Sequence, residues 1–273
     1  MPRGLIWDAD NYSCGYDPLF TILFDIWRSN PTRWHEIFSS RTATLKNLSD
    51  GFLQVTNQLT SLESLRDKLR VSLNQNAPFN FPYGHRGISI ENLALALVGR
   101  TVSCATAKKK CFRCMHTDQV EKQCFNEFHS LKYEQNIDGM HLKDRLWRDL
   151  SGRTHTLCPQ CRVNEMQWSP QLQRVPDLLI VGIQSPGSYL PIDPKLRFDI
   201  DGHTHIFLLR GIIYLGGFHF TSRIIGTSGR IWYNDGIATG RACIDEQYLD
   251  NHPPDFLHSC GVRIADTLVY TRG

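Results

Sequence analysis

A chain of 273 residues, 41% hydrophobic and 21% charged, has the composition of a globular domain long enough to bury a sizeable core. Its formal net charge of +3, with basic residues scattered apart from Lys108-Lys109-Lys110, argues against a nucleic-acid-binding stripe. No run approaches the ~18 apolar residues of a membrane span, and Met1-Pro2-Arg3-Gly4 leads to Asp8 and Asp10 rather than to an apolar signal segment.

The first third reads as helical. Asp17-Pro18 makes a good N-cap and first-turn pair for a helix carrying Leu19, Ile22, Leu23 and Ile26 at helical spacing. Apolar residues then recur every three to four positions from Leu45 to Leu69, which predicts one long helix or two stacked ones. Residues 74–84 form an Asn- and Pro-rich loop, and Ser89-Ile90-Glu91-Asn92 opens a short capped helix ending at Gly99.

From about Thr101 to Ser169 the composition shifts to Cys, His, Lys and Arg with little apolar periodicity. Of nine cysteines, four form the pairs Cys111-Phe112-Arg113-Cys114 and Cys158-Pro159-Gln160-Cys161. Two knuckles of this spacing close a tetrahedral four-sulfur zinc site, so this segment is expected to be a small lobe held by a structural zinc ion. Cys124, His116, His129 and His155 are substitute ligands, and a redox dithiol is the competing reading of one pair alone. A chain this long does not need disulfides to fold, so a reducing compartment, cytosol or nucleus, is expected.

The remainder reads as strands: 177–183, 206–215, 218–225, 230–234 and 265–270. Two chemistry-bearing residues stand out at opposite ends of the chain. Cys14 precedes a helix start, where the helix dipole is expected to lower a thiol pKa, and Asn11 beside it offers an amide donor for an oxyanion. His219 lies on a strand, and a tight turn at 226–229 leads to the next one. Placing Ile225 opposite Arg230 sets Thr221 opposite Asn234, so Asn234 shares the face of His219 while Asp235 points away. Cys14, His219 and Asn234 then compose a Cys–His–Asn triad, an assignment that a bulge in the hairpin would reverse.

With these pieces in place the chain resembles the ubiquitin-specific protease family, the papain-like deubiquitinases. The cysteine box is represented by Gly4-Leu5 through Asn11-Tyr12-Ser13-Cys14-Gly15-Tyr16-Asp17, and the two knuckles correspond to the family's finger region. Val175-Pro176-Asp177-Leu178 through Ile183 is similar to the strand after the fingers. The histidine box resembles Phe207 to Tyr214, Phe218-His219-Phe220 and Trp232-Tyr233-Asn234-Asp235, and Ala265 to Arg272 resembles the closing strand. Two departures stand out. About two extra residues separate Gly4-Leu5 from Cys14, leaving Asn11 and Asp10 as competing counterparts of the oxyanion asparagine. Phe218 replaces the glycine before the histidine.

The resemblance implies an α+β fold, a papain-like hand with a helical thumb (1–100), zinc-bound fingers (101–170) and an antiparallel β palm (171–273). It implies a thiol hydrolase acting after the C-terminal glycine of ubiquitin or a ubiquitin-like modifier, with Cys14, His219, Asn234 and Asn11 catalytic. Cys111, Cys114, Cys158 and Cys161 would hold zinc. A ubiquitin-binding pseudoenzyme is the alternative that Phe218 suggests, and a zinc-dependent nucleic-acid or scaffold protein is the one suggested by the knuckles and Lys108-Lys109-Lys110.

Overall fold

The computed structural model describes residues 1–99, 103–131, 139–152, 154, 156–164, 166–183, 189–200 and 202–273. Five helices come first: α1 (Asp17–Ser29), α2 (Pro31–Ser39), α3 (Ala43–Thr56), α4 (Leu62–Asn76) and α5 (Ile90–Val98). The long apolar rhythm resolves into two helices, α3 and α4, because each has its own cap. The Thr42 hydroxyl accepts the Leu45 N–H and the Ser61 hydroxyl accepts the Ser64 N–H, both at 3.0 Å. Asn30 caps α2 in the same way, a helix the periodicity does not separate from α1. Ser89 caps α5 as expected.

The expected cap of α1 is corrected. Tyr16 holds the N-cap position without a side-chain bond, and Asp17 is the first helical residue. Its carboxylate turns away from the helix end toward Ser13 and Arg66.

After the helices come β1 (Ser103–Cys111), β2 (Thr117–Asn126), β3 (Phe128–Leu131), α6 (Leu142–Ser151) and β4 (Met166–Leu172). The remaining strands are β5 (Leu178–Ile183), β6 (Lys195–Ile200), β7 (His203–Gly216), β8 (His219–Ile225), β9 (Arg230–Asn234), β10 (Ile244–Tyr248), β11 (Ser259–Cys260) and β12 (Arg263–Arg272). Among the described residues β2-β1-β4 form one three-stranded antiparallel sheet. A nine-stranded sheet runs β10-β9-β8-β7-β12-β5-β3, with β6 on β7 and β11 on β12. Its pairings are antiparallel except that of β3 with β5.

The large sheet is covered on both faces, which explains why β5 reads as an unbroken apolar run rather than an alternating one. Leu178 and Ile180 enter a core shared with Leu19, Ile22, Leu23 and Phe52 of the helices. Leu179 and Val181 enter a second core with Leu142, Leu146 and Leu150 of α6. Among the described residues the three-stranded lobe adds only a small cluster of its own, Cys111, Cys158 and Met166. No helix among the described residues is long and apolar enough to cross a membrane.

Candidate active site and metal centre

Cys14 sits in a single 3-10 turn (Ser13–Gly15) immediately before α1. The turn is anchored from behind: the Asp8 N–H donates to the Ser13 hydroxyl at 2.7 Å and the Ser13 N–H to the Asp8 carbonyl at 3.2 Å. Ahead of it the N-terminal segment runs along the β9–β10 connection, where the Gly4 N–H reaches the Arg241 carbonyl and the Trp7 N–H the Gly236 carbonyl. This places the turn against β8. The backbone N–H of Phe220, one residue after His219, faces the Cys14 sulfur and pulls its pKa down. The Trp7 ring meets the His219 imidazole edge-on at 6.4 Å. The turn that carries Cys14 thus packs against the strand that carries His219, 205 positions later in the sequence.

His219 is nearly buried at 9% exposure, and its Nε2 lies 2.8 Å from Asp235 Oδ1. Burial pushes the Asp235 carboxyl up, but the hydrogen bonds from His219 and the Ile237 N–H outweigh it and hold the group below its usual range. A carboxylate accepts and cannot donate, so Nε2 carries the proton and Nδ1 is left as the basic nitrogen. Asp235 Oδ1 also accepts the N–H groups of Ile237 and Ala238, which fixes its orientation.

The expected third residue, Asn234, is not the partner of His219. The hairpin pairs Ser222 with Asn234 and Ile225 with Ile231, one residue out of the anticipated register. The cause lies in the turn. The Gly229 N–H bonds back to the Gly226 carbonyl and the Gly226 N–H to the Arg230 carbonyl, with Gly229 at φ +80°. That is a type I turn closed by a glycine bulge, and one extra residue moves every following side chain to the opposite face. Asn234 instead donates its amide to Thr239, Gly240 and Ala242, bracing the loop that positions Asp235. The Gly-Thr-Ser-Gly sequence at 226–229 carried the signal, since a glycine at the left-handed position of a three-residue hairpin loop marks the bulge.

Asn11 is likewise committed elsewhere. Its amide donates to Asp8 at 3.0 Å and its carbonyl oxygen accepts the Gly84 N–H at 3.2 Å. Asp10 is exposed. The expectation of a lowered thiol pKa at Cys14 also fails. Burial, the largest influence, pushes the thiol up; the N–H groups of Phe220, Cys14 and Gly15 pull it back, and the nearby Asp17 carboxylate pushes it further up. Phe218 does not pack inward. It stands at the tip of a two-residue turn with Gly217, at φ +57° and +60°, and is fully exposed.

The four knuckle cysteines converge. Their sulfurs all lie within 4.8 Å of one another, with Cys111–Cys161 and Cys114–Cys158 each at 3.6 Å. Sulfurs placed ~2.3 Å from a tetrahedral zinc ion would be ~3.8 Å apart, so the donor set fits the ion in kind and in size. Both knuckles are the same turn. Met115 and Arg162 follow the second cysteine at φ +61° and +60°, and the first cysteine N–H reaches the carbonyl five residues on, at His116 and at Val163. Backbone N–H groups also aim at the sulfurs: that of Cys114, first among several, holds the Cys111 thiol down to about 7. The substitute ligands stand apart from this cluster: His129 bonds Asp149, and His116 is not among the converging groups. His155 and the side chain of Cys124 fall outside the described residues.

No protein-family model and no curated protein matches the chain. Solved structures do. A chain in the structure of the SAGA Ubp8/Sgf11/Sus1/Sgf73 DUB module bound to ubiquitin aldehyde is similar over 99% of this chain and 69% of its own, with a TM-score of 0.59 at 12% identity. The same module bound to monoubiquitin gives 0.51 at 10% identity, with the same coverage. At such identities the likeness is one of fold: the chain shares that module chain's mixed α+β architecture.

Proposed function

We propose that this chain is a thiol-dependent hydrolase that cleaves peptide or isopeptide bonds after the C-terminal glycine of ubiquitin or a ubiquitin-like modifier. The observation that carries the reading is the packing of the Cys14 turn against β8, the strand that opens with His219, whose imidazole is oriented by Asp235. The similar module bound to ubiquitin aldehyde supports the choice of substrate class.

In this mechanism His219 Nδ1 takes the proton from the Cys14 thiol as the sulfur attacks the carbonyl carbon. Burial pushes the thiol up, so this mechanism begins from a protonated sulfur whose proton passes to the imidazole. Asp235 stabilises the imidazolium that forms, and the Cys14 backbone N–H stabilises the oxyanion. The C–N bond then breaks and the leaving amine takes the proton from His219. Water, deprotonated by the same imidazole, hydrolyses the thioester and restores the thiol. Asn11 and Asn234 serve by bracing the loops on either side.

The modifier's tail would enter along a cavity of about 320 Å³ lined by Ser89, Glu91, Leu215, Asp266 and Phe220, the residue after His219. Cys111, Cys114, Cys158 and Cys161 would hold a zinc ion, whose contribution is to fold the lobe.

A ubiquitin-binding module without turnover is the second reading, favoured by the raised thiol pKa and by the engagement of the Asn11 amide with Asp8. Hydrolysis of a fluorogenic ubiquitin conjugate decides between them. Release by the native chain and none by Cys14→Ala supports the hydrolase, whereas tight ubiquitin binding with no release by either selects the binding module.

A further inference from the structure

Behind the nucleophile turn lies a buried polar cluster that the reaction does not use directly. Asp17, Ser13, Arg66 and Arg70 are each no more than 3% exposed. The Ser13 hydroxyl donates to Asp17 Oδ2 at 2.6 Å, and accepts from the Asp8 N–H at 2.7 Å and from Arg66 Nη1 at 3.2 Å. A hydroxyl has one proton and two lone pairs, so this one is saturated. Arg66 Nη1 also reaches Asp17 Oδ1 at 2.9 Å and the Ile6 carbonyl at 2.8 Å. Arg70 pairs with Asp8 at 3.1 Å and donates to the Asn11 carbonyl. Two arginines of α4 therefore grip both ends of the segment that carries Cys14.

A merely stabilising role is a poor explanation of this cluster. Replacing a buried ion pair by apolar groups of similar size is often neutral or better for stability, whereas such a pair fixes geometry in a way that apolar packing does not. The geometry fixed here is that of the residue beside the nucleophile. We infer that Ser13, Asp17 and Arg66 are positioning residues, which hold the Cys14 turn in its place against β8, the strand that carries His219. The inference rests on the reading of Cys14 as nucleophile, but its test does not need ubiquitin.

The ionisable groups packed around the turn are Asp8, Tyr16 and Asp17 on its own segment, Arg66, Asp67 and Arg70 on α4, and His219 with Asp235 at the β8 and β9 ends. Ser13→Ala and Arg66→Lys leave all their charges in place. Lysine keeps the charge but cannot serve Asp17, Ser13 and Ile6 at once as the guanidinium does.

The test is the pH profile of iodoacetamide alkylation at Cys14, read by peptide mass spectrometry, on native chain, Ser13→Ala and Arg66→Lys, with thermal midpoints measured alongside. Both variants are expected to fold and to show an upward shift of the apparent thiol pKa, as the N–H donors of Phe220, Cys14 and Gly15 lose alignment. With a fluorogenic ubiquitin conjugate, kcat should fall tenfold or more while KM stays within twofold. Profiles and kcat unchanged in either folded variant overturn the inference. Should Arg66→Lys fail to fold, Ser13→Ala alone decides it. A native chain that alkylates with the expected profile differences yet cleaves no ubiquitin conjugate refutes the hydrolase reading and leaves the positioning role standing.

Discussion

His219 Nε2 donates to Asp235 Oδ1 at 2.8 Å, and the one-residue bulge at Gly229 is what makes Asp235, rather than Asn234, the partner. The two neighbours consequently have separable roles. Asp235→Ala should lower kcat about 10²–10⁴-fold, because the imidazole loses both its tautomer and its counter-charge. Asn234→Ala should act mainly on stability, by about 2–3 kcal/mol, since the Gly240 and Ala242 carbonyls lose their buried donor. Steady-state kinetics beside thermal unfolding separates the two, and equal kinetic losses in both variants would contradict the register.

Gly4 tests the same loop from its other side. A Cβ at Gly4 would fall 2.1 Å from Asn234 Nδ2, so no side chain fits there without displacing the brace. Gly4→Ala should reduce kcat through Asp235 even though residue 4 touches no reacting atom. Retention of native kcat and native melting would show that the approach is looser than described.

The pH dependence follows from two raised groups. For Cys14 the thiolate fraction near neutrality is small, so alkylation should climb through and above the range of a free thiol, ~8.5–9, without a plateau below pH 6. Such a plateau would indicate a preformed thiolate–imidazolium pair. Burial also lifts Asp17 to about 6 against the pull of Arg66, from an unfolded value of 3.8. A carboxyl with a raised folded pKa contributes stability that is full below its unfolded value and is lost as pH rises through about 6. Asp17→Asn should remove that contribution to the pH dependence between about pH 4 and 6, measured by denaturant unfolding at each pH.

Metal removal should unfold the lobe rather than poison the chemistry. Among the described residues the β2-β1-β4 lobe has only Cys111, Cys158 and Met166 as a core of its own, so chelation or Cys158→Ser should lower the melting temperature and expose the lobe to proteolysis. Metal analysis of the purified chain should return one zinc ion per chain. A chain free of metal, with four reactive thiols and native melting, would exclude the site.

Phe218 offers a stability gain. A β-carbon at φ +57° costs about 1–2 kcal/mol relative to glycine, and this side chain is fully exposed and recovers nothing by burial. Phe218→Gly should therefore raise the thermal midpoint; a fall would show that the ring makes a stabilising contact.

Much of the fold was legible because local chemistry and tertiary packing agree. The Ser89 cap, the apolar run of β5 and the two knuckles each announce their structure within a few residues. What escaped depended on contacts between distant segments. Asp17 looks like a helix cap until Arg66, 49 residues later, arrives to claim its carboxylate. Asn11 looks like an oxyanion donor until Asp8 and Gly84 engage its amide. The choice between Asn234 and Asp235 turned on a single turn geometry, because side chains in a strand alternate faces and one inserted residue reverses them all.

The account depends above all on Cys14 being the atom that meets the modifier's C-terminus. The direct measurement is to react the chain with ubiquitin bearing a C-terminal thiol-reactive electrophile and to map the adduct by peptide mass spectrometry. A single covalent adduct on Cys14, absent in Cys14→Ala and slowed in Asp235→Ala, is the predicted result. An adduct on another of the nine cysteines, or none on the folded native chain, would contradict it.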